Sequence, residues 1–143
     1  MSFRYLEDFA CADVAFEATG RTVEEMFIAA AKATIGVMLE NPRESRDGEE
    51  IRFELLEDDL EMLLFDFLQE IIYLKDARRL LPLDMSVTIG RETSPMQLTA
   101  RARCATLDSQ GNRLLTDVKA VTMHRFAIRK DAGGWNATVV LDV

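Results

Sequence analysis

The chain has 143 residues, of which 48% are hydrophobic and 29% are charged, as is ordinary for a globular protein. No linker-like or repeated segment divides it, so we expect a single domain over residues 1–143. The net charge of −8 disfavours direct nucleic-acid binding, which requires a basic surface that displaces counterions from the phosphates.

The sequence also lacks signals for secretion or membrane insertion. Its first residues contain no apolar run of the kind found in signal peptides. The longest apolar stretch, 62–74, is interrupted by polar residues and is shorter than the roughly 20 residues that a membrane span needs. We therefore expect a cytoplasmic protein without membrane attachment, in which Cys11 and Cys104 are reduced and buried.

The first predicted elements are a strand and a helix. Residues 13–18 alternate as a short strand that ends at Gly20. Thr22 and Glu25 form a capping box, in which a threonine precedes a glutamate by three positions. Apolar residues at helical spacing follow, so a helix is predicted over 22–39.

The second predicted helix follows a strand at 51–56 and begins at Asp58, which we predict as its N-cap. Apolar residues cover most of its circumference and leave a narrow polar stripe of Asp59, Asp66 and Glu70. A helix of this kind is covered on more than one side. We expect it to lie at the centre of the domain.

Beyond Pro82 the hydrophobic period changes from 3.6 to 2. Strands are predicted over 85–89, 97–107, 117–130 and 134–141. Early helices followed by an antiparallel meander indicate an α+β fold, with two helices packed on antiparallel sheet.

The last two strands predict a hairpin with a defined register. A loop over 131–134 pairs Lys130 with Trp135, which places Asp142 opposite Met123 and Val143 opposite Thr122. Asp142 then lies on the mixed, polar face near the open end of the hairpin.

Two residues of the first hairpin strand are further candidates. In this register Lys119 shares the face of Asp142 but lies roughly 13 Å from it, so we expect Lys119 to meet another acidic residue or a partner molecule. His124, the only histidine, falls on the apolar face, where a packed and hydrogen-bonded core residue is the favoured interpretation. Because it is the only histidine, we expect no catalytic triad and no multi-histidine metal site around it.

The strongest candidate site combines Asp13 with the end of the sequence. Asp13 is a carboxylate inside an otherwise apolar stretch, and Asp142 lies next to the terminal carboxylate of Val143. Crowded or buried anions need a compensating cation or donors, and Ca²⁺ and Mg²⁺ take carboxylate and carbonyl oxygens. If Asp13, Asp142 and Val143 converge, they form a site for a hard cation.

Several segments of the chain resemble the archease family. They are Ala12-Asp13-Val14, the helix start at 22–27, the run 63–70, the run Val118 to His124, and the ending 135–143. The sequence departs from the family pattern where Ala10, Cys11 and Ala15 replace a histidine, a threonine and a glycine, and where Met123 replaces a tyrosine.

The resemblance implies a small α+β protein that activates the RNA ligase of tRNA splicing and RNA repair. It implies that the protein promotes guanylylation and multiple turnover of the ligase and is not itself an enzyme. It also implies a calcium ion held by Asp13, Asp142 and Val143, and a role for Lys119 in partner contact or function.

Two other functions remain open from the sequence. A chaperone-like module that assists an RNA-modifying enzyme would need no metal site. A metal-dependent hydrolase is disfavoured, because the candidate site has no identifiable base or nucleophile.

Overall fold

The computed structural model describes residues 1–6, 13–40, 48–108 and 112–143. The helices and strands in this part of the chain are β1 (Ser2–Leu6), β2 (Asp13–Gly20), α1 (Val23–Met38), β3 (Glu50–Glu57), α2 (Leu60–Arg78), β4 (Leu80–Gly90), β5 (Met96–Thr106), β6 (Ala120–Asp131) and β7 (Gly134–Asp142). The expected α+β class with two helices is confirmed. The sequence did not predict β1.

The strands divide between two antiparallel sheets. Four strands form one sheet in the order β1-β2-β7-β6, and three form the other in the order β3-β5-β4. The two N-terminal strands therefore lie on one side of the C-terminal β6–β7 hairpin within the same sheet, and β2 pairs with β7. This arrangement brings distant parts of the sequence together and positions the candidate site.

Helix α1 begins where the capping box predicts. The Thr22 side chain accepts a hydrogen bond from the Glu25 N–H at 3.1 Å, and Glu25 Oε2 accepts one from the Arg21 N–H at 2.8 Å. The bond from Arg21 is the main reason that the pKa of Glu25 lies below its usual value.

Helix α2 begins one residue later than predicted. Its N-cap is Asp59, whose Oδ1 accepts the Glu61 N–H at 3.1 Å, whereas Asp58 accepts a hydrogen bond from the Ser94 hydroxyl at 3.1 Å. The prediction of Asp58 was wrong because adjacent aspartates are equivalent in sequence. Contact with the β4–β5 loop engages the first of them.

Helix α2 is covered on several sides, as its broad apolar surface predicts. It contacts β6 of the four-stranded sheet, β3 and β4 of the three-stranded sheet, and α1. Phe67 lies at the centre, with its ring centroid 5.5 Å from that of Phe27 on α1 and 6.1 Å from that of Phe53 on β3. Within the described part of the chain, neither helix is long and apolar enough to cross a membrane.

Strand β4 begins at Leu80, earlier than the predicted 85. Pro82 lies inside the strand, next to a register shift between Pro82 and Asp84. An edge strand tolerates proline because its outward N–H is not needed in the ladder. Cys104 on β5 is buried and free, as expected, and burial raises the pKa of its thiol to about 11. Cys11 lies outside the described residues.

Candidate metal site at the paired strand ends

Strand pairing places Asp13 opposite Asp142. The two residues are Cα partners at the end of the β2–β7 ladder. Directly opposed residues in an antiparallel pair have Cα atoms about 4.5–5.5 Å apart, and their side chains point to the same face of the sheet. The convergence of the strand that carries Asp13 with the end of the sequence, on which the candidate site depends, is present. Val143 follows Asp142 directly and packs partly against the core.

The register of the β6–β7 hairpin agrees with the prediction only near the turn. Lys130 pairs with Trp135, and Asp131 pairs with Gly134, which leaves a two-residue loop. Farther from the turn, however, Asp142 pairs with Ala120 and not with Met123 as predicted. The predicted pairing of Val143 with Thr122 is wrong for the same reason, since Thr122 pairs with Val140.

A bulge in β6 causes this shift. Thr122 pairs with Val140 and Ala127 pairs with Thr138, so four residues of β6, 123–126, face the single residue Val139 of β7. Three residues are therefore extra, and Arg125 among them has a positive φ of 51°. An odd number of extra residues reverses which side chains face the core. Val121 is buried before the bulge, whereas Phe126 and Ile128 pack against the core after it.

The bulge overturns the interpretation of His124 as a core residue. His124 is exposed, and its backbone N–H donates to the Thr122 hydroxyl at 3.3 Å. In a regular strand Val121 and Phe126 would lie on opposite faces, because five positions separate them. Two apolar residues at this odd spacing were the sequence signal that could have revealed the bulge.

The bulge also overturns the separation predicted between Lys119 and Asp142. The Lys119 backbone N–H donates to the Asp142 carbonyl oxygen at 2.8 Å, so the two residues are adjacent in space. Lys119 is exposed, and its side chain has no ion pair with another residue in the described part of the chain. The structure thus brings Asp13, Asp142, Val143 and Lys119 to one end of the sheet.

The electrostatics of the paired aspartates favour a cation. Neither carboxylate has an ion pair or side-chain hydrogen bond with another described residue, and both residues are half-buried. Like charges directly opposite each other in a sheet are destabilising. Two opposed carboxylates with nearby main-chain oxygens fit the oxygen-rich ligand set of Ca²⁺. Nowhere in the described residues do three His, Cys, Asp or Glu side chains converge, so a cation bound here would need main-chain oxygens or water as further ligands.

Of the residues that depart from the family pattern near Asp13, Ala15 lies within β2. It is fully buried and pairs with Val140, two residues along the ladder from the aspartate pair. Its methyl group is accommodated in the sheet, where the family pattern has glycine. Ala10 and Cys11 lie outside the described residues.

A depression of about 560 Å³ lies on the other sheet, away from the aspartate pair. Its walls include Arg52, Arg101 and Arg103, with Glu50 and Asp84. Arg52 and Arg103 form ion pairs with Glu54 and Glu50. We regard this surface as a network of mixed charge and not as the candidate site.

The described residues form a small α+β protein with two helices, two antiparallel sheets and two carboxylates paired at the strand ends. A model of the archease protein family matches residues 3–143. The chain is 35% identical to protein archease of Methanosarcina barkeri, over 99% of this chain and 95% of that protein. It is 35% identical to protein archease of Pyrococcus furiosus, over 92% of this chain and 93% of that protein.

Solved structures agree with this assignment. The solution structure of Methanobacterium thermoautotrophicum protein 1598 matches with a TM-score of 0.82 and 31% identity, over 99% of this chain and 98% of that one. A crystal structure from Thermotoga maritima, described as "an archease, possible chaperone", matches with a TM-score of 0.63 over 94% of this chain and 93% of that one. At 23% identity the Thermotoga structure shares the fold. The chain belongs to the archease family.

Proposed function

We propose that this protein is a non-enzymatic activator of an RNA ligase, and that it promotes guanylylation and multiple turnover of the ligase in tRNA splicing and RNA repair. In this proposal Asp13, Asp142 and main-chain oxygens of Val143 hold Ca²⁺ or another hard divalent cation. The observation that carries the proposal is the pairing of Asp13 with Asp142 across neighbouring strands.

The roles of the residues follow from their positions. The two carboxylates bind the cation from the same face of the sheet, and the backbone bond from Lys119 holds Asp142 in place. When bound, the cation supplies positive charge that attracts phosphate or carboxylate oxygens of the partner. The exposed side chain of Lys119 adds a second positive charge beside the site.

The bulge of β6 supplies a docking element next to these residues. Met123, a large apolar side chain on the bulge, is 57% exposed and is therefore accessible to a partner. Bulges at sheet edges re-aim side chains and occur beside functional sites. We assign residues 123–125 to contact with the ligase, and the overall charge of −8 suits a partner whose active site is basic because it holds RNA.

The test compares two isosteric substitutions that each remove one negative charge. Asp142→Asn should lower Ca²⁺ affinity at least about tenfold, because it removes a charged ligand, and should abolish the stimulation of ligase guanylylation. Asp84→Asn, at an exposed position of the other sheet, is the control and should leave both unchanged. Ca²⁺ affinity is measured by calorimetry and guanylylation by transfer of labelled GMP. Absence of stimulation by the wild-type protein with its cognate ligase would refute the proposal.

A chaperone-like module for an RNA-modifying enzyme is the second candidate. It is supported by the words "possible chaperone" attached to the Thermotoga protein and by exposed apolar side chains such as Leu56, Tyr73 and Leu115. This function predicts suppression of client aggregation that is insensitive to Asp13→Asn and Asp142→Asn. Aggregation measured by light scattering therefore separates the two candidates.

A further inference from the structure

Lys75 is a buried charged residue near the end of α2. Its side chain is only 1% exposed, and its ammonium group makes three polar contacts. It donates to the Val118 carbonyl oxygen at 2.6 Å, and it forms ion pairs with Asp76 at 2.9 Å and with Asp117. Both aspartates are more than half exposed, so the Val118 carbonyl is the buried partner.

The contact with Val118 reaches the candidate site through one peptide group. The carbonyl that accepts from Lys75 and the N–H that donates to Asp142 both belong to the peptide bond between Val118 and Lys119. This group is planar and rigid, so fixing its oxygen also fixes the direction of its N–H. A cationic donor on the carbonyl also polarises the group and strengthens the bond made by its N–H.

The surrounding segment needs such an anchor. Residues 112–119 have no helix or strand, although Val118 is fully buried. Helix α2 holds the start of β6 at a second point, where Gln69 Oε1 accepts the Val121 N–H at 2.9 Å. A buried ammonium group is costly unless it is paired and hydrogen-bonded, and the three contacts of Lys75 meet that requirement.

The geometry points to Lys75 as a positioning residue of the candidate metal site: it holds the Val118–Lys119 peptide and, through it, the main chain of Asp142. This inference rests on the proposed function for the identity of the ligand. The anchoring itself is a property of the metal-free protein and is tested separately.

The first measurement is amide hydrogen exchange by NMR in metal-free protein. Lys75→Met keeps the apolar stem and removes the ammonium group, and it should accelerate exchange of the Lys119 amide about tenfold or more, as expected for the loss of one hydrogen bond. Glu61→Ala is the matched control, because Glu61 on the same helix accepts the Ile128 N–H of β6 at 2.8 Å, beyond the bulge. It should accelerate exchange at Ile128 and leave Lys119 unchanged.

The second measurement is Ca²⁺ affinity by calorimetry. Lys75→Met should weaken binding roughly tenfold, as for other residues that orient metal ligands. Asp117→Asn removes an ion pair but keeps the bond from Lys75 to Val118, and its affinity should stay within about threefold of wild type. If Asp117→Asn lowers the Ca²⁺ affinity as much as Lys75→Met does, the bond from Lys75 to the Val118 carbonyl oxygen is not what positions the site. The charge of the ion pair would then be responsible. If Lys75→Met does not fold, Lys75→Gln replaces it as the test variant. Its amide is a hydrogen-bond donor on a shorter side chain, so it should also accelerate exchange of the Lys119 amide and weaken Ca²⁺ binding.

The two failures are distinguishable. If exchange of the Lys119 amide is unchanged in Lys75→Met, Lys75 does not anchor the Val118–Lys119 peptide, regardless of the Ca²⁺ affinity measured. A wild-type protein that binds no Ca²⁺ overturns the proposed metal site, and with it the positioning role towards a ligand, even if Lys119 exchange accelerates.

Discussion

The two ends of the β6–β7 hairpin are built on different principles. At the turn end, Lys130 pairs with Trp135, and Asp131 Oδ1 accepts the Gly133 N–H at 2.8 Å within the loop. At the open end, the pairing is displaced by three residues, and Asp142 is bonded to the Lys119 main chain. Local turn chemistry specifies the first end. Contacts with β2 and α2 specify the second.

This difference predicts that the two ends of the hairpin respond differently to substitution. The turn end packs against the junction of β2 and α1, where Gly20 closely approaches Gly134. The open end carries two opposed carboxylates and an exposed bulge. Substitutions at the turn end should therefore change the free energy of unfolding, and those at the open end should change binding.

Removal of the bulge tests the open end of the hairpin. Deleting residues 123–125 joins Thr122 to Phe126, pairs Phe126 with Val139, and leaves Phe126 on the core face without a break in the ladder. We expect ligase stimulation to fall about tenfold or more, since the deletion removes the whole proposed docking element and a single hot-spot residue can contribute about 2 kcal/mol or more. Ca²⁺ affinity should be retained, because the Asp13–Asp142 pair is untouched. Full stimulation by the deletion variant would show that the bulge does not contact the ligase.

Gly134→Ala tests the turn end. Gly134 has φ +131°, and an added Cβ would lie 2.5 Å from the Gly20 carbonyl oxygen. Such a conformation costs a non-glycine residue about 1–3 kcal/mol, so urea unfolding should show a loss of about 2 kcal/mol or more. The Ca²⁺ affinity of the folded protein should not change. A parallel loss of Ca²⁺ affinity would mean that the two ends of the hairpin are coupled.

Asp13→Asn should have the smallest effect on stability, with a sign that depends on the metal. Without metal, the substitution removes repulsion from Asp142 and should stabilise the protein by roughly 0.2–1 kcal/mol. With excess Ca²⁺, ligand binding should stabilise the wild type and reverse the order. Thermal unfolding in chelator and in Ca²⁺ measures both, with Asp84→Asn as the control that shows no reversal. The same order under both conditions would contradict a shared cation at Asp13 and Asp142.

Features with a local cause were predictable from the sequence. The capping box specifies the start of α1, because Thr22 and Glu25 are within reach of the free N–H groups of the first turn. The apolar circumference of α2 predicts its central position, and the glycines at 133 and 134 predict the hairpin turn. Asp13 and Asp142 are carboxylates in apolar strand sequences, and this contrast with their neighbours is enough to identify them as candidate ligands.

The tertiary structure alone decided how these parts meet. An alternating hydrophobic pattern predicts the buried face of a strand only while the strand pairing is regular. The pattern therefore could not predict the register beyond the three extra residues of β6. The pairing of β2 with β7 joins residues 13 and 142, and no local preference encodes a contact over that separation. The place of Lys119 beside Asp142 depends on a peptide held by Lys75 from another element, because the backbone groups of an irregular buried segment must find partners wherever the fold supplies them.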